Sequence, residues 1–151
     1  MVSDLFISSL NVNDADDLNK LINFTYKQHS KYFTPFNNDS LLKILKQVKL
    51  DKYFAIHYNN KLIGFFMLRG FDEGYKIPSY GVWILPQYTN KGIAKLTLQY
   101  AVTFCKINNI PKLMLKVHPE NNVAKDMYLK YGFVITGKDE KNDNIILHKD
   151  I

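Results

Sequence analysis

A chain of 151 residues, 46% hydrophobic and 23% charged, is expected to fold as one globular domain over 1–151 that buries its core without staples. One cysteine excludes an internal disulfide and a multi-cysteine metal site, and four dispersed histidines make no zinc site, so no metal is expected. The net charge of +6 suits a polyanionic small molecule better than duplex DNA, because the lysines are scattered and Arg69 is the single arginine.

No apolar run approaches the ~20 residues of a membrane helix, and the opening MVSDLFISSLNVND has no basic n-region. Neither membrane nor nucleic acid is therefore expected as a partner, a cytoplasmic location is, and a homodimer is left open. Residues 5–10 read as a strand. Asn13 or Asp14 offers a helix cap before a stripe of Leu18, Leu21, Ile22 and Tyr26. Residues 28–38, with His29, Tyr32 and Phe36, have no period. Asp39 or Ser40 then caps a second helix bearing Leu41, Leu42, Ile44, Leu45 and Val48.

Residues 53–58 and 61–68 read as two strands around Asn59-Asn60, since asparagine tolerates the positive φ of a tight hairpin turn. Residues 70–79, GFDEGYKIPS, form a polar connection. The next stretch, YGVWILPQYTNKGIAKLTLQY at 80–100, organises the chain. Residues 81–85 read as a buried strand that Pro86 stops, having no N–H for a ladder. Residues 87–91 are turn-like. From Gly92 the period becomes helical, with Ile93, Leu96, Thr97, Tyr100, Ala101 and Phe104 on one face. A strand, a tight turn and a helix start make an anion site, because the first helical N–H groups are unpaired at the positive end of the dipole. Gly92 and Ala94 leave room there, and Lys91 and Lys95 add charge. Neither a GxxxxGKS/T nor a GxGxxG motif is present.

Residues 112–117 read as another strand and 122–131 as a helix closed by Gly132; 133–136 and 144–148 form a last hairpin. The order β-α-α-β-β-β-α-β-α-β-β implies an α/β fold, an α+β mixed sheet flanked by helices on both faces. Cys105, flanked by Phe104 and Ile107, reads as a core thiol. His57 and His148 read as structural, His118 as a turn residue.

Two segments resemble the GNAT superfamily of N-acetyltransferases. Thr89-Asn90-Lys91-Gly92-Ile93-Ala94 is similar to the family's Q/R-x-x-G-x-G/A turn, with Thr89 departing at the first position. NNVAKDMYLKYGF at 121–133 matches N-x-x-A-x-x-x-Y-x-x-x-G-F through Asn121, Ala124, Tyr128, Gly132 and Phe133. The element order is also the family's. The resemblance implies acetyl-CoA as co-substrate and transfer to an amine. It assigns the pantetheine arm to the backbone of Val82, Trp83 and Ile84, and the pyrophosphate to the amides of Asn90, Lys91, Gly92, Ile93, Ala94 and Lys95. Asn121 and Lys125 would contact the same cofactor, and Tyr128 stands at the position of the general acid.

A general base is less defined. Lys116 stands where some relatives that acetylate protein N-termini carry Glu, which leaves Asp72 and Glu73 in the loop before the first-motif strand, or a water chain. The expected function is N-acetylation of a small-molecule primary amine, with a nucleotide-linked amino sugar suggested by the likeness of FFMLRGFDEGYKIPSYGVWI to transferases of surface-sugar pathways. Peptide or protein acetylation and a non-catalytic acyl-CoA-binding module are the alternatives.

Overall fold

In the computed structural model the described residues are 1–14 and 41–151. The stripe from Leu18 to Tyr26, the 28–38 loop with His29, and the Asp39 or Ser40 cap lie outside them.

Strand β1 is Leu5–Ser9. Residues 12–14 then begin a helical turn. Its cap is Asn11 rather than Asn13 or Asp14: Asn11 Oδ1 accepts the Asn13 and Asp14 N–H groups at 2.8 and 3.2 Å, and Asp14 reaches back to the Asn11 N–H at 3.4 Å. That reciprocal arrangement has the logic of a capping box. Helix α1 is Leu41–Gln47. Strands β2 (Lys52–Tyr58) and β3 (Lys61–Arg69) form the expected hairpin, with Asn59 and Asn60 at φ 51° and 59°. Two consecutive left-handed residues match the twist of the flanking strands, which is why asparagine serves here.

Strand β4 is Ser79–Ile84, and a 3₁₀ turn follows at Pro86–Tyr88. Helix α2 is Ile93–Ile107, β5 is Lys112–Val117 and α3 is Asn122–Lys130. Strands β6 (Val134–Lys138) and β7 (Ile145–Asp150) close the chain, each reaching two residues further than the period alone suggests.

The seven strands make one mixed sheet in the order β1-β2-β3-β4-β5-β7-β6, in which the β4–β5 pair alone is parallel. Residues 63–68 of β3 are buried without interruption, as suits a central strand covered on both faces. Phe65, Phe66, Leu98, Leu113, Leu115 and Leu147 are sealed from solvent. The buried stripe of α2 differs from the expected one: it runs through Ile93, Thr97, Leu98, Ala101, Val102 and Cys105. Leu96 and Tyr100 stay 42% and 40% exposed, at the stripe's margin. Tyr100 still puts its ring edge-on to Phe54 and Phe66, at 5.0 and 5.4 Å. Cys105 is fully buried, and burial pushes its thiol up to about 11, as a core cysteine requires.

Candidate active site

Strands β4 and β5 pair only at Ser79↔Met114 and Tyr80↔Leu115. Beyond Tyr80 they separate, although both run on, to Ile84 and Val117. The direction of the backbone groups follows from parity. The Pro78 carbonyl accepts the Met114 N–H at 3.0 Å on the β5 side, and the Leu85 N–H donates to the Ile63 carbonyl at 2.8 Å on the β3 side. Successive residues alternate, so Val82 and Ile84 point their N–H and C=O groups into the gap. Trp83 points its own toward β3, where an added Cβ on Gly64 would meet the Trp83 carbonyl oxygen at 2.5 Å. Of the three residues expected to offer backbone to a ligand, Val82 and Ile84 have it free among the described residues. Trp83 contributes a side chain that is 4% exposed.

The gap ends at the turn before α2. Gly92 caps the helix at φ 85°, ψ 3° with no side-chain cap bond, and Asn90 is also left-handed at φ 60°. A Cβ built on Gly92 would meet nothing within 4 Å, so the space above it is open. The first helical bond is Leu96 N–H to the Gly92 carbonyl at 3.0 Å. The N–H groups of Ile93, Ala94 and Lys95 therefore have no backbone partner, and they project from the positive end of the dipole. Thr89 does not reach toward that end, because its hydroxyl donates to the Pro86 carbonyl at 2.7 Å and closes the 3₁₀ turn. Lys91 and Lys95 are exposed beside the turn, while Lys125 is half-buried on α3.

Asn121 caps α3, its Oδ1 accepting the Ala124 N–H at 3.3 Å. That bond leaves the amide NH₂ as the group it could offer a ligand. Tyr128, in the last turn of α3, lies edge-on to Tyr80 (6.5 Å) and Phe133 (5.9 Å). Burial pushes its phenol up to about 12. Its hydroxyl has no hydrogen bond among the described residues. The only sealed and unpartnered side-chain polar atom there is His57 Nδ1, so the Tyr128 oxygen keeps some access to solvent. Tyr80, the last residue of β4 paired with β5, donates to Thr97 Oγ1 at 2.7 Å, and Thr97 in turn donates to the Ala94 carbonyl at 2.8 Å. The start of the gap is thus tied to the first turn of α2.

Alternation of side chains puts Met67, Arg69, Ser79, Gly81, Met114, Lys116, Ile146 and His148 on the opposite face of the sheet from Tyr80 and Thr97. There they line a cavity of about 860 Å³, together with Gly70, Glu73, Tyr75, Ile77 and Lys141, and Tyr80 of β4 borders it as well. Glu73 is one of the residues that line it. Asp72 does not line this cavity. Its carboxylate accepts the N–H groups of Lys49, Leu50 and Asp51 at 3.2, 2.8 and 3.2 Å, and its own N–H donates to Asp51 Oδ1. Desolvation alone would raise its pKa; the amides of Leu50, Lys49 and Asp51 outweigh that and hold it below the usual carboxylate range. An acid so bound is a clamp, and the expectation of Asp72 as a base is corrected on that ground.

Arg69, Tyr75, Lys141 and His148 were not legible as neighbours of the site. Register joins Arg69 to His148, since Arg69 opposes Ser79, Ser79 opposes Met114 and Met114 opposes His148, whereas Tyr75 and Lys141 arrive on the loops after β3 and β6. His148 Nδ1 is hydrogen-bonded to Thr136 Oγ1. Desolvation, reinforced by Lys112 and opposed by Asp150, lowers its pKa. Lys116 pairs with Asp139 at 2.7 Å. His118 is a turn residue as expected, its Nδ1 accepting the Glu120 N–H at 3.1 Å. His57, at the β2–β3 bulge, stacks on Phe6 at 5.0 Å. No cluster of metal-ligating side chains occurs among the described residues.

The family model described as the acetyltransferase (GNAT) family matches residues 18–133. No curated protein sequence is matched significantly. Among solved structures, the chain is similar to a GNAT-family acetyltransferase from Streptococcus pneumoniae (22% identity, 98% of this chain and 100% of that one, TM-score 0.75). It is similar also to the PaiA N-acetyltransferase of Thermoplasma acidophilum in complex with coenzyme A (21%, 98% and 99%, 0.77). A third likeness is to the ribosomal-protein-S5-alanine acetyltransferase of Vibrio fischeri (18%, 99% and 97%, 0.80). At these identities the likeness is one of fold.

Proposed function

Because the chain belongs to the GNAT family of acetyltransferases, and is thereby an acetyl-CoA-dependent N-acetyltransferase, we propose that it acetylates the primary amine of a small molecule, a nucleotide-linked amino sugar being the favoured class, by direct attack in a ternary complex. The observation that carries this reading is the gap between β4 and β5, with a helix N-terminus at its end and a cavity of about 860 Å³ on the other face of the sheet. A chain-like ligand can enter from one side and an amine from the other.

The residues fit a coenzyme. Val82 and Ile84 have unpaired backbone groups in the gap, and the open space above Gly92 is what a side chain would fill. In this reading the amides from Asn90 to Lys95, the ammonium groups of Lys91, Lys95 and Lys125, and the Asn121 amide hold the phosphates and the arm. Acetyl-CoA supplies an activated thioester as co-substrate. The Ile84 N–H points into the gap, and in this reading it donates to the carbonyl oxygen on which charge develops during attack; a donor so placed is worth about 2.7–4 kcal/mol in other enzymes. Glu73 takes the proton the amine nitrogen loses as the new C–N bond forms. Tyr128 gives its phenolic proton to the departing sulfur as the C–S bond breaks, a role worth about 10²–10⁴-fold. With a pKa near 12 it holds that proton throughout the working range.

Titration with acetyl-CoA by calorimetry, followed by thiol release against a panel of amines including nucleotide-linked amino sugars, tests the reading. Binding with release by one amine supports it. Binding without release on small amines, but with release on a peptide N-terminus, would favour protein acetylation, the activity named for the Vibrio fischeri relative. Failure to bind would remove the coenzyme assignment. The reading assumes a cytoplasmic enzyme; no described helix is long and apolar enough to cross a membrane.

A further inference from the structure

Resting on that reading of the site, we propose that the acceptor carries its own anionic group, a carboxylate or a phosphate, bound by the wall of Arg69, Lys116 and Lys141, and a ring that stacks on Tyr75. Three separate elements deliver these cations to one cavity: the end of β3, the next-to-last residue of β5 (Lys116, before Val117) and the β6–β7 connection. Glu73 is the one carboxylate among the described lining residues. Asp139 answers the charge of Lys116 at 2.7 Å, whereas the Lys141 ammonium forms no salt bridge among the described residues.

The three cations outnumber Glu73 and Asp139 by one, so a protonated amine alone finds no net attraction at such a wall. An amine with an anionic group is drawn in, and the same positive field lowers the amine's pKa, which favours the neutral nucleophile the reaction needs. Contacts to a remote anion also supply binding energy that orients the reacting nitrogen.

The second observation is the stiffness of the 70–78 loop. A turn that only joins two strands can remain loosely held in water. This one is tied down: the Glu73 and Tyr75 N–H groups both donate to the Gly70 carbonyl, at 3.2 and 2.9 Å, and the Gly74 N–H donates to the Phe71 carbonyl at 3.0 Å. Asp72 clamps it to three amides of residues 49–51, just before β2. A Cβ on Gly70 would lie 3.5 Å from the Tyr75 ring, so that ring folds over the glycine. The phenol nevertheless stays 64% exposed at the cavity. An aromatic face held in place yet open to solvent is preorganised to stack.

The test uses the full chain and the methyl resonances of Met67 and Met114, which line the cavity. At constant ionic strength and without coenzyme, the protein is titrated with inorganic phosphate, acetate and phenyl phosphate. Saturable shifts of both methyls are expected, and the tighter of phosphate and acetate identifies the anion. Lys141→Glu, an exposed substitution, should weaken binding about tenfold or more. Tyr75→Ala should abolish the advantage of phenyl phosphate over inorganic phosphate and leave the latter's affinity unchanged. The absence of saturable shifts with any probe, or equal affinity in Lys141→Glu, would overturn the anion site. Equal phenyl phosphate binding in Tyr75→Ala would overturn the stacking. None of these outcomes depends on acetyl transfer, so a failed acetylation assay is distinguishable from a failed anion site.

Discussion

Tyr128 is a buried phenol whose pKa burial pushes up to about 12. Tyr128→Phe removes one oxygen and keeps the ring contacts to Tyr80 and Phe133. As the proposed acid, its loss should lower kcat by about 10²-fold or more, with coenzyme affinity unchanged in calorimetry; loss of affinity instead would mark a packing residue. Because its pKa is near 12, deprotonation of this group should produce no fall in kcat between pH 7 and 10. Asp72 leads to the opposite expectation. A carboxylate whose pKa is depressed in the folded state contributes stability present above its unfolded pKa and lost as pH falls through the folded one. Thermal melting of the native protein should therefore decline in acid more steeply than that of Asp72→Ala. The same variant should raise KM for the acceptor, since the loop holding Glu73 is freed, and leave coenzyme binding intact. These roles were legible to different degrees. Tyr128 lies within a local motif, whereas the carboxylates of Asp72 and Glu73 are adjacent in sequence and only tertiary contacts separate a clamp from a cavity wall.

Among elements, the turn into α2 is the most demanding of its sequence. Gly92→Val meets no protein atom at its Cβ, but it forces a β-branched residue to φ 85°. That conformation costs about 1–2 kcal/mol, a modest drop in denaturant midpoint, while the added methyls fill the space proposed for phosphate. Coenzyme affinity should fall well beyond what the stability change accounts for, and unaltered affinity would remove this turn from the site. The turn could be read from sequence because a strand, a proline, a glycine and a helical period are local signals. The buried stripe of α2 could not be fixed, since apolar residues flank it on both sides and Leu96 and Tyr100 satisfy a neighbouring period equally well. The Asn11 cap was hidden by three candidate polar residues within four positions, of which hydrogen bonding selects one.

At the level of the whole molecule, the order of elements followed from periodicity, and the register between strands did not. Met114 joins Ser79 to His148 through two different pairings, and no pattern within β5 announces either. The cavity wall is a product of that register and of the loops beside it, so His148 on β7 and Lys141 on the β6–β7 loop emerged only with the fold. Stability and site are separable in the core: Leu115→Ala, at a position 1% exposed, should cost about 2–5 kcal/mol of unfolding free energy, read from denaturant melts. The early separation of β4 from β5 has a mechanical consequence. Four strands on one side and three on the other share only two residue pairs, so the ladder is nearly severed at its middle. The two halves should behave as distinct cooperative blocks in native-state hydrogen exchange, with amides of β5, β7 and β6 opening together apart from those of β2 and β3. A ligand lying in the gap would act as a splint. With acetyl-CoA bound, the two blocks should exchange as one; persistence of two separate openings would mean that the ligand does not bridge the halves.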